Sequence, residues 1–370
     1  MRIAFICKRK YMSKDVIVDR YARLYEIPYQ LARLGHEVRG YCLSYQGHDE
    51  GEWRHDAAPG SLLWESRSLG RLLLPALAQY PWQLLKRLRA FEPDLLIGAS
   101  DIPHVALCAW LAKRLALPYA VDLYDNFEGF GQARIPGMVS ALRRAVCDAD
   151  FVTTTSEPLR RLVVDSYKAR GEVIAMPSTV DKAVFHPYAK AESRHALGLP
   201  LDARLVGTAG GLQGDKGVGT LYEAWENLAA NDPSVHLVLA GPTDSRCPPP
   251  VGDRVHYLGM LAHAQIAQLF SALDVGVIYL RDTAFGRYCF PQKAYEMGAC
   301  GIAMVAGRVG AMADVLKGYP QCLYRPDDAS DLAQRIAEQL RQPTPPVFQI
   351  EDWAQIIGDI EPRLREIAER

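Results

Sequence analysis

The chain has 370 residues, of which 49% are hydrophobic and 23% are charged, which is typical of globular proteins. These values exclude a disordered or collagen-like chain, and the net charge of −1 excludes a basic field that would recruit nucleic acid. The length favours two domains. Basic residues outnumber acidic ones up to His186, and acidic residues outnumber basic ones beyond it, which also suggests two domains with different roles.

Alternating strand and helix patterns run along the whole chain. In the first half we predict strands at Arg2–Cys7, Glu37–Leu43, Asp94–Gly98, Tyr119–Leu123, Asp150–Thr154 and Glu172–Met176, with a helix over Asp15–Leu34. After Pro200 we predict strands at Arg204–Ala209, Val235–Ala240, Arg254–Leu258, Asp274–Tyr279, Ile302–Ala306 and Gln321–Tyr324. The alternation predicts an α/β protein with two doubly wound, Rossmann-like domains facing a cleft.

Proline and glycine mark the breaks between these regions. Such residues interrupt Pro177–Pro200 and Pro343–Pro346, so we place domain limits at 1–180 and 181–345. We expect the helical tail, 346–370, to pack back on the first domain. The eight cysteines are scattered without a CxxC pair, which favours buried thiols in a reducing compartment. The sequence has no signal-peptide pattern and no apolar run of about 18 residues, so we expect a cytoplasmic protein.

A glycine-rich turn follows the predicted strand Arg204–Ala209. It contains Gly210, Gly211 and Gly214, then Lys216, and a helix is predicted to begin near Val218. Glycines let a ligand approach the backbone, and the helix start and the lysine suit a phosphate. The spacing fits neither a Walker loop nor GxGxxG, and an ordinary glycine-rich turn with an exposed lysine is the alternative interpretation.

A second polar group lies in the segment Phe290–Cys300, for which we predict a helix that begins at Pro291. Gln292, Lys293 and Glu296 share one face of this helix. A carboxylate can accept two ribose hydroxyls, and the helix start with Lys293 can hold a diphosphate. The alternative interpretation is an exposed Lys–Glu pair.

Several segments resemble one known family, and they occur in its order. They are PSTVDKAVFHP, GGLQGDKGVGTLYEAW, FPQKAYEMGACG and RPDDASDLAQRI. The stretch Pro177–Leu340 resembles the nucleotide-sugar domain of the retaining GT-B glycosyltransferases of family 4 (glycosyltransferase group 1). The first half resembles the family more loosely, through RIAFI, GHEV and VTTTSEPL.

The resemblance implies an enzyme of class EC 2.4 that moves a sugar from a nucleotide-diphospho-sugar to an acceptor hydroxyl. It implies retention of configuration and no metal or other cofactor. Glu296 matches the glutamate that holds the donor ribose, and Lys216 matches the lysine that neutralises the diphosphate. Donor contacts are expected from Gly210, Gly211, Lys216, Gly259, Met260, Tyr288, Pro291, Lys293 and Glu296, with catalytic roles for Glu296, Lys216 and Asp125.

The chain departs from the family pattern at several positions. Tyr288 replaces the first glutamate of the family's pair, Gly211 replaces an arginine, and Tyr124 replaces a histidine. We expect Lys293, Arg287 or Arg308 to supply the positive charge that the arginine supplies elsewhere.

We expect the first domain to bind the acceptor, a glycan or a lipid-linked glycan. Lys8, Arg9 and Lys10 directly follow the first strand, and Tyr124 and Asp125 directly follow the strand at Tyr119–Leu123. These five residues therefore belong to the carboxyl edge of the predicted sheet, where ligands bind. Solvated loop charges and turn-capping side chains are the alternative interpretations.

The basic stretch Arg67–Phe91 suggests contact with an anionic membrane surface. It contains Arg67, Arg71, Lys86, Arg87 and Arg89, no acidic residue, and several leucines and aromatics. A helix that buries its apolar stripe on the sheet is the alternative interpretation.

We therefore predict a transferase of polysaccharide or glycoconjugate biosynthesis, without a nucleic-acid partner. Two alternatives are a non-catalytic nucleotide-sugar-binding or scaffold partner and a GT-B sugar-nucleotide epimerase.

Overall fold

The computed structural model describes residues 1–12, 14–69 and 73–370, which form two compact units. Unit 1 consists of Met1–Ser178 together with Trp353–Arg370, and unit 2 consists of Thr179–Asp352. Both units are α/β, each built around a parallel sheet.

In its described residues, unit 1 begins with ten strands and five helices. The strands are β1 (Arg2–Lys8), β2 (Lys10–Tyr11), β3 (Lys14–Asp15), β4 (Glu37–Ser44), β5 (Gly51–His55), β6 (Ser61–Ser68), β7 (Leu95–Ala99), β8 (Tyr119–Leu123), β9 (Phe151–Thr154) and β10 (Glu172–Ala175). The helices are α1 (Ala22–Arg33), α2 (Leu73–Phe91), α3 (Ile102–Leu115), α4 (Met138–Cys147) and α5 (Glu157–Asp165), with short 3-10 turns at Phe127–Gly129 and Gly131–Arg134.

The main sheet of unit 1 has eight strands in the order β10, β9, β8, β7, β1, β4, β6, β5. All neighbouring pairs are parallel except β5 and β6, which are antiparallel. From β1 the chain builds outward through β4 and β6, then crosses to β7 on the other side and continues to β10. The order of the strands therefore reverses between β1 and β7, and ligands of such sheets bind at this switch point.

The strands β5 and β6 were absent from the sequence-based prediction. Their polar residues obscure the apolar pattern. In β6, apolar Leu62, Leu63 and Trp64 are followed by four polar residues, of which buried Glu65 pairs with Arg87. Trp64 packs where Gly40 of β4 has no side chain, since a Cβ there would lie 2.1 Å from the indole. The edge of the sheet therefore depends on a tryptophan and a glycine on neighbouring strands.

The helix expected over Asp15–Leu34 is shorter than predicted. Helix α1 begins at Ala22, and the preceding residues form the antiparallel pair β2–β3. Asp15 holds this hairpin because its carboxylate accepts hydrogen bonds from Arg9 Nε at 2.9 Å and from the backbone N–H of Ile17 at 2.9 Å. A side chain that bonds the local backbone in this way competes with helix formation.

A buried ion pair connects α1 to three strands of unit 1. Arg23 is 0% exposed and Asp122, in β8, is 1% exposed. Arg23 Nε and Nη2 donate to Asp122 Oδ1 at 2.8 and 2.6 Å, and Thr153 of β9 donates to the same oxygen at 2.5 Å. Arg23 Nη1 donates to the carbonyl of Met176, just beyond β10. Every charged atom of the pair thus has a partner away from water.

Unit 2 contains six strands and seven helices. The strands are β11 (Arg204–Ala209), β12 (Val235–Ala240), β13 (Val255–Tyr257), β14 (Val275–Ile278), β15 (Ala303–Gly307) and β16 (Leu323–Tyr324). The helices are α6 (Lys190–Ala196), α7 (Val218–Asn231), α8 (His263–Ala272), α9 (Ala284–Tyr288), α10 (Lys293–Ala299), α11 (Gly310–Val315) and α12 (Ala329–Arg341), with 3-10 turns at Gly214–Lys216 and Pro320–Cys322.

The sheet of unit 2 is parallel throughout, in the order β13, β12, β11, β14, β15, β16. Its strands read as continuous apolar runs because helices cover both faces. The strand order reverses between β11 and β14, so unit 2 has its own switch point.

The last helix, α13 (Trp353–Ala368), belongs to unit 1. Its buried residues, Ile357, Ile360, Leu364 and Ile367, join the same apolar core as α1 and the strands β1 and β4. His36 Nε2 lies 2.8 Å from Glu361 Oε1 and adds a polar contact beside this core. Among the described residues, no helix is both long and apolar enough to cross a membrane.

We expect Arg23→Met to lower the free energy of unfolding of unit 1 by about 3–5 kcal/mol, because it leaves the carboxylate of Asp122 buried without its partner. The measurement is urea-induced unfolding followed by circular dichroism. The matched control is Arg170→Met, since Arg170 pairs with Asp148 at 3.0 Å on the surface and such pairs contribute about 0.5 kcal/mol.

Replacing both partners, as Arg23→Met with Asp122→Leu, removes the unpaired charge and should recover much of the loss. If Arg23→Met unfolds at the same urea concentration as the parent chain, the pair does not stabilise unit 1.

Candidate functional site

The switch point of unit 2 carries a turn without side chains. Gly210 directly follows β11 with φ +116°, and Gly241 directly follows β12 with φ +118°. The two backbones touch, because a Cβ on Gly241 would lie 2.2 Å from the carbonyl oxygen of Gly210. The peptide groups at the ends of β11 and β12 are therefore open to close approach by a ligand.

Two lysine ammonium groups converge on this glycine turn. A Cβ built on Gly210 would lie 3.4 Å from Lys293 Nζ, and one built on Gly211 would lie 3.7 Å from Lys216 Nζ. Lys293 Nζ also donates to Thr208 Oγ1 at 3.4 Å and lies 4.9 Å from the ring centre of Tyr279. Neither lysine forms an ion pair within the described part of the chain. The turn thus presents two cations that no carboxylate neutralises at contact distance, which suits a diphosphate.

Tyr279, just after β14, holds the turn from the other side of the switch point. Its hydroxyl donates to the carbonyl of Gly211 at 2.7 Å, and burial raises its pKa, so the phenol stays protonated. The geometry of the glycine turn therefore depends on residues that follow β11 and β14, the two strands at the switch point.

The polar helix begins later than the sequence predicts. Helix α10 starts at Lys293, so Pro291 lies before the helix and not at its first position. The first turn is tightened by a hydrogen bond from the N–H of Ala294 to the carbonyl of Pro291 at 2.9 Å. Gln292 is tied to the start of unit 2, since its Nε2 donates to the carbonyl of Thr179 at 3.2 Å. Glu296 lies one turn along from Lys293, on the same face.

Burial changes the ionisation of both charged groups on α10. The pKa of Lys293 is lowered to about 8, chiefly by loss of water; Glu296 opposes this shift and nearby Lys216 adds to it. Loss of water also raises the pKa of Glu296 to about 7, against the attraction of Lys293. Both groups therefore change charge close to neutral pH, and an anionic ligand would favour the charged lysine.

The other residues expected to contact the donor differ in their position and exposure. The N–H of Gly241 donates to the carbonyl of Gly259 at 2.7 Å, which brings the turn at Gly259 and Met260 next to the glycine turn. Met260 itself is 74% exposed. Tyr288 is the last residue of the short helix α9 and is partly buried.

The three cations expected to replace the missing arginine have different surroundings in the structure. Arg287 forms two hydrogen bonds with the carboxylate of Asp282, at 2.5 and 3.1 Å, so its charge is already neutralised. Arg308 is exposed, just beyond β15. Only Lys293 contacts the residues of the glycine turn.

Unit 1 presents a different set of polar groups at its switch point. Lys8 ends β1, and its Nζ donates to the hydroxyl of Tyr124, just after β8, at 3.1 Å. The ammonium also lies 5.7 Å and 5.5 Å from the ring centres of Tyr124 and Phe130. Asp125 follows Tyr124 and is partly buried; its Oδ1 accepts from the N–H of Asn126 at 2.7 Å.

The expectation that Arg9 contacts an acceptor is corrected. Arg9 is 3% exposed, its Nε donates to Asp15, and its Nη1 donates to Ser66 Oγ at 3.1 Å. The guanidinium also stacks over Trp53, with Cζ 4.6 Å from the ring centre. Arg9 therefore anchors the β2–β3 hairpin. Lys10 is exposed, with Nζ 2.9 Å from Gln46 Oε1.

Sequence reasoning missed a buried carboxylate at the same edge. Asp101 is 0% exposed and caps α3, accepting from the N–H of His104 at 3.1 Å and from His104 Nδ1 at 2.5 Å. Tyr45, just after β4, donates to its second oxygen at 3.3 Å. The available signal was an aspartate two residues beyond a strand whose end lies at the switch point.

Much of the basic stretch Arg67–Phe91 forms helix α2, which buries one apolar face. Tyr80, Leu84, Leu85, Leu88 and Phe91 are buried, whereas Trp82, Lys86 and Arg89 are exposed. Arg67 and Arg87 pair with Glu50 and Glu65. Arg71 and Leu72 lie outside the described residues. No cluster of three His, Cys, Asp or Glu side chains able to hold a metal ion occurs in the part of the chain that the structure describes.

Comparison with family models covers both units. Residues 203–342 match the model described as Glycosyl transferases group 1. Residues 22–178 match the model described as Glycosyl transferase 4-like domain. The first match contains the glycine turn and helix α10, and the second contains most of unit 1.

Individual relatives are more distant. A D-inositol 3-phosphate glycosyltransferase of Stackebrandtia nassauensis is 29% identical over 253 residues, which are 64% of this chain and 54% of that protein. The putative teichuronic acid biosynthesis glycosyltransferase TuaC of Bacillus subtilis is 24% identical over 294 residues, 78% of this chain and 71% of that protein. The chain thus spans about half the length of the first relative.

Two solved structures share the fold over the whole chain. Sucrose-phosphate synthase from Thermosynechococcus elongatus has a TM-score of 0.71 at 21% identity, covering 100% of this chain and 94% of that one. Anabaena HepE in complex with UDP-glucose has a TM-score of 0.65 at 18% identity, covering 100% and 97%. These likenesses show a GT-B fold with two Rossmann-like domains.

We expect the affinity for inorganic pyrophosphate to fall as the pH rises through about 8, because Lys293 is charged below its pKa and neutral above it. In Lys293→Met, affinity at pH 7 should be lower by about tenfold or more, since a hydrogen bond to a charged group contributes about 1.5–3 kcal/mol. The difference between the two proteins should vanish above pH 9.5, about 1.5 pH units beyond that pKa. Isothermal titration calorimetry measures both.

Pyrophosphate ionises equally for both proteins, so its own protonation cancels from their difference. Lys317→Met, at an exposed lysine of unit 2, serves as the matched control. A parent-like pH profile in Lys293→Met would contradict the assignment.

Proposed function

Because the chain belongs to the family of group 1, 4-like glycosyltransferases, we propose that it moves a sugar from a nucleotide-diphospho-sugar to an acceptor hydroxyl, as an enzyme of class EC 2.4. The observation that carries the proposal is the convergence of Lys216 and Lys293 on the glycine turn of unit 2, with Glu296 one helical turn away. These three side chains and the glycine turn fit a ligand in which a diphosphate joins a nucleoside to a sugar.

Each group has a distinct role in the proposed donor complex. The two lysines hold the diphosphate over the backbone of Gly210 and Gly211. The carboxylate of Glu296 accepts hydrogen bonds from the ribose hydroxyls. The open turn at Gly259 and Met260 leaves backbone groups for the nucleobase. In this proposal, backbone groups contact the nucleobase, and charged side chains contact the diphosphate and the ribose.

The lysines also act in the transfer step. As the glycosidic bond breaks, negative charge grows on the leaving diphosphate, and Lys216 and Lys293 stabilise that charge. We propose retention of configuration, in which the leaving phosphate oxygen takes the proton of the acceptor hydroxyl on the same face of the sugar. Asp125 is the proposed group that orients this hydroxyl. With two ammonium groups on the diphosphate, we expect no requirement for a metal ion.

We expect Glu296→Gln to lower turnover of the donor by roughly 10–150-fold, because the loss of a charge-assisted hydrogen bond costs about 1.5–3 kcal/mol. The fold should be unaffected, since burial already disfavours the charged carboxylate. The donor is chosen by thermal shift with UDP, GDP and dTDP, with CMP as control, and turnover is measured as release of the nucleoside diphosphate from its sugar conjugate.

The same assay separates the rival functions. A nucleotide-dependent shift without turnover supports a binding or scaffold partner, and conversion of the donor sugar without transfer supports an epimerase. Parent-like turnover in Glu296→Gln would contradict the donor assignment. Turnover in EDTA should equal turnover in magnesium.

We also propose that the reaction serves polysaccharide or glycoconjugate assembly at the cytoplasmic face of a membrane. The relative from Bacillus subtilis is named for teichuronic acid biosynthesis. Helix α2 offers an exposed face with Trp82, Lys86 and Arg89, and no acidic residue occurs in the helix. Trp82 lies edge-on to Trp110 at 5.2 Å, under Arg114 of α3. Aromatic and basic side chains together suit an anionic lipid surface.

We expect the triple variant Trp82→Ala, Lys86→Gln, Arg89→Gln to bind phosphatidylglycerol vesicles at least tenfold more weakly, because each basic residue contributes about 1 kcal/mol at such a surface. Vesicle sedimentation provides the measurement, with phosphatidylcholine vesicles for comparison and Lys317→Gln as control. Equal sedimentation of variant and parent would remove α2 from the proposal.

A further inference from the structure

Lys8 is a partly buried cation without a counter-ion at contact distance. Its ammonium donates one hydrogen bond, to the hydroxyl of Tyr124, and lies beside the rings of Tyr124 and Phe130. No carboxylate reaches ion-pair distance of Lys8 in the described ranges of the chain. An ammonium has three N–H groups, so two of them have no protein acceptor among the described residues.

The neighbouring buried cations of unit 1 are treated differently. Arg9 pairs with Asp15 at 2.9 Å and Arg23 pairs with Asp122 at 2.6 Å. Burial lowers the pKa of Lys8, which means that the fold works against its charge. A charge left without a partner in such a place costs free energy unless a ligand supplies the partner. Lys8 therefore resembles Lys293, the cation of unit 2 that lies at the other switch point.

The buried carboxylate of Asp101 keeps this cation charged without contacting it. The Asp101 oxygens are already occupied by His104 and Tyr45. The negative charge of Asp101 nonetheless favours the protonated form of Lys8, and Lys8 in turn helps to hold the pKa of Asp101 low. The backbone N–H of Lys8 donates to Ser100 Oγ at 2.8 Å, which fixes the end of β1 against the end of β7. Asp101 is therefore a positioning residue.

Tyr124 completes the arrangement as a second donor. Burial and the nearby carboxylates raise its pKa, so the phenol keeps its proton. The hydroxyl accepts from Lys8 and remains free to donate its own hydrogen to an oxygen of a ligand. Lys8 and Tyr124 thus offer two adjacent donors at the switch point of unit 1, where exposed Lys10 and Lys14 add positive charge.

We propose that Lys8 and Tyr124 bind a phosphate group carried by the acceptor, so that the acceptor is a phosphate ester. This inference rests on the proposed transferase function. It narrows the acceptor from any hydroxyl compound to one with a phosphate near the hydroxyl that receives the sugar. The phosphate belongs either to a soluble sugar phosphate or to a lipid phosphate, and the experiment distinguishes the two.

The full chain, saturated with the nucleoside diphosphate that gives the largest thermal shift, is titrated with glucose 6-phosphate, glucose and glucuronate by calorimetry. It is also sedimented with phosphatidic acid and phosphatidylcholine vesicles. We expect binding of either glucose 6-phosphate or phosphatidic acid, and Lys8→Met should weaken it by about tenfold or more. Lys113→Met, at an exposed lysine of helix α3 outside both proposed sites, should stay within about twofold because exposed charges are screened.

Several results would overturn the inference. They are no binding of either phosphate probe by the parent chain, parent-like binding in Lys8→Met, and glucuronate binding as tightly as glucose 6-phosphate. Nucleoside diphosphate affinity is read separately in each variant and should be unchanged in Lys8→Met. If the parent chain binds no nucleoside diphosphate, that result would instead contradict the donor site of unit 2.

Asp101→Asn tests the positioning role. Phosphate binding should then weaken at a lower pH than in the parent chain, because Asp101 is the stronger of the two carboxylates, Asp101 and Asp125, that favour the protonated form of Lys8. A residue with only a structural role would change the affinity without moving that pH dependence. An unmoved profile would remove Asp101 from the proposal and leave Lys8 and Tyr124 to the calorimetric test.

Discussion

The reversal of strand order within each parallel sheet is the constraint on which the sites of this protein depend. Where two neighbouring strands send their connections to opposite sides, their carboxyl ends are left uncovered. The reversal falls between β1 and β7 in unit 1 and between β11 and β14 in unit 2. Each proposed ligand group lies beside one of these two places, so topology alone selects a small part of the chain for chemistry.

Cationic side chains at the switch points are paired differently from those elsewhere in the fold. Cations that hold the fold together, such as Arg9 and Arg23, are matched by aspartates at hydrogen-bond distance. Lys8 and Lys293, at the switch points, are partly buried and have no such partner among the described residues. Burial lowers the pKa of both, so each site is arranged to gain when an anion enters. The contrast between matched and unmatched cations separates scaffold from site better than sequence position does.

Much of this organisation was predictable because buried parallel strands are apolar runs. Tyr119–Leu123, Arg204–Ala209 and Val235–Ala240 were predicted with the bounds that the structure gives them. The family motifs identified Lys216, Lys293 and Glu296, because each motif lies within a single turn or a single helix.

Most of the failures involve side-chain contacts that the local apolar pattern does not show. The role of Arg9 is decided by Asp15 and Ser66, and a run of three basic residues gives no sign of which one is matched. Asp101 was missed because its meaning comes from Lys8, on a neighbouring strand. Strand β6 was missed because the partners of its polar residues lie elsewhere in the chain, as Arg87 of helix α2 does for Glu65.

The membership of α13 in unit 1 has a consequence for how the chain acquires its structure during translation. Unit 2 is one continuous segment, Thr179–Asp352, and all its residues can meet as soon as that segment has left the ribosome. Unit 1 is split around it, and the apolar face of α1 that receives Ile357 and Leu364 waits until the whole of unit 2 has been made. The nascent first half must therefore remain soluble with part of its core open, which exposes it to chaperones and proteases for longer than the second half.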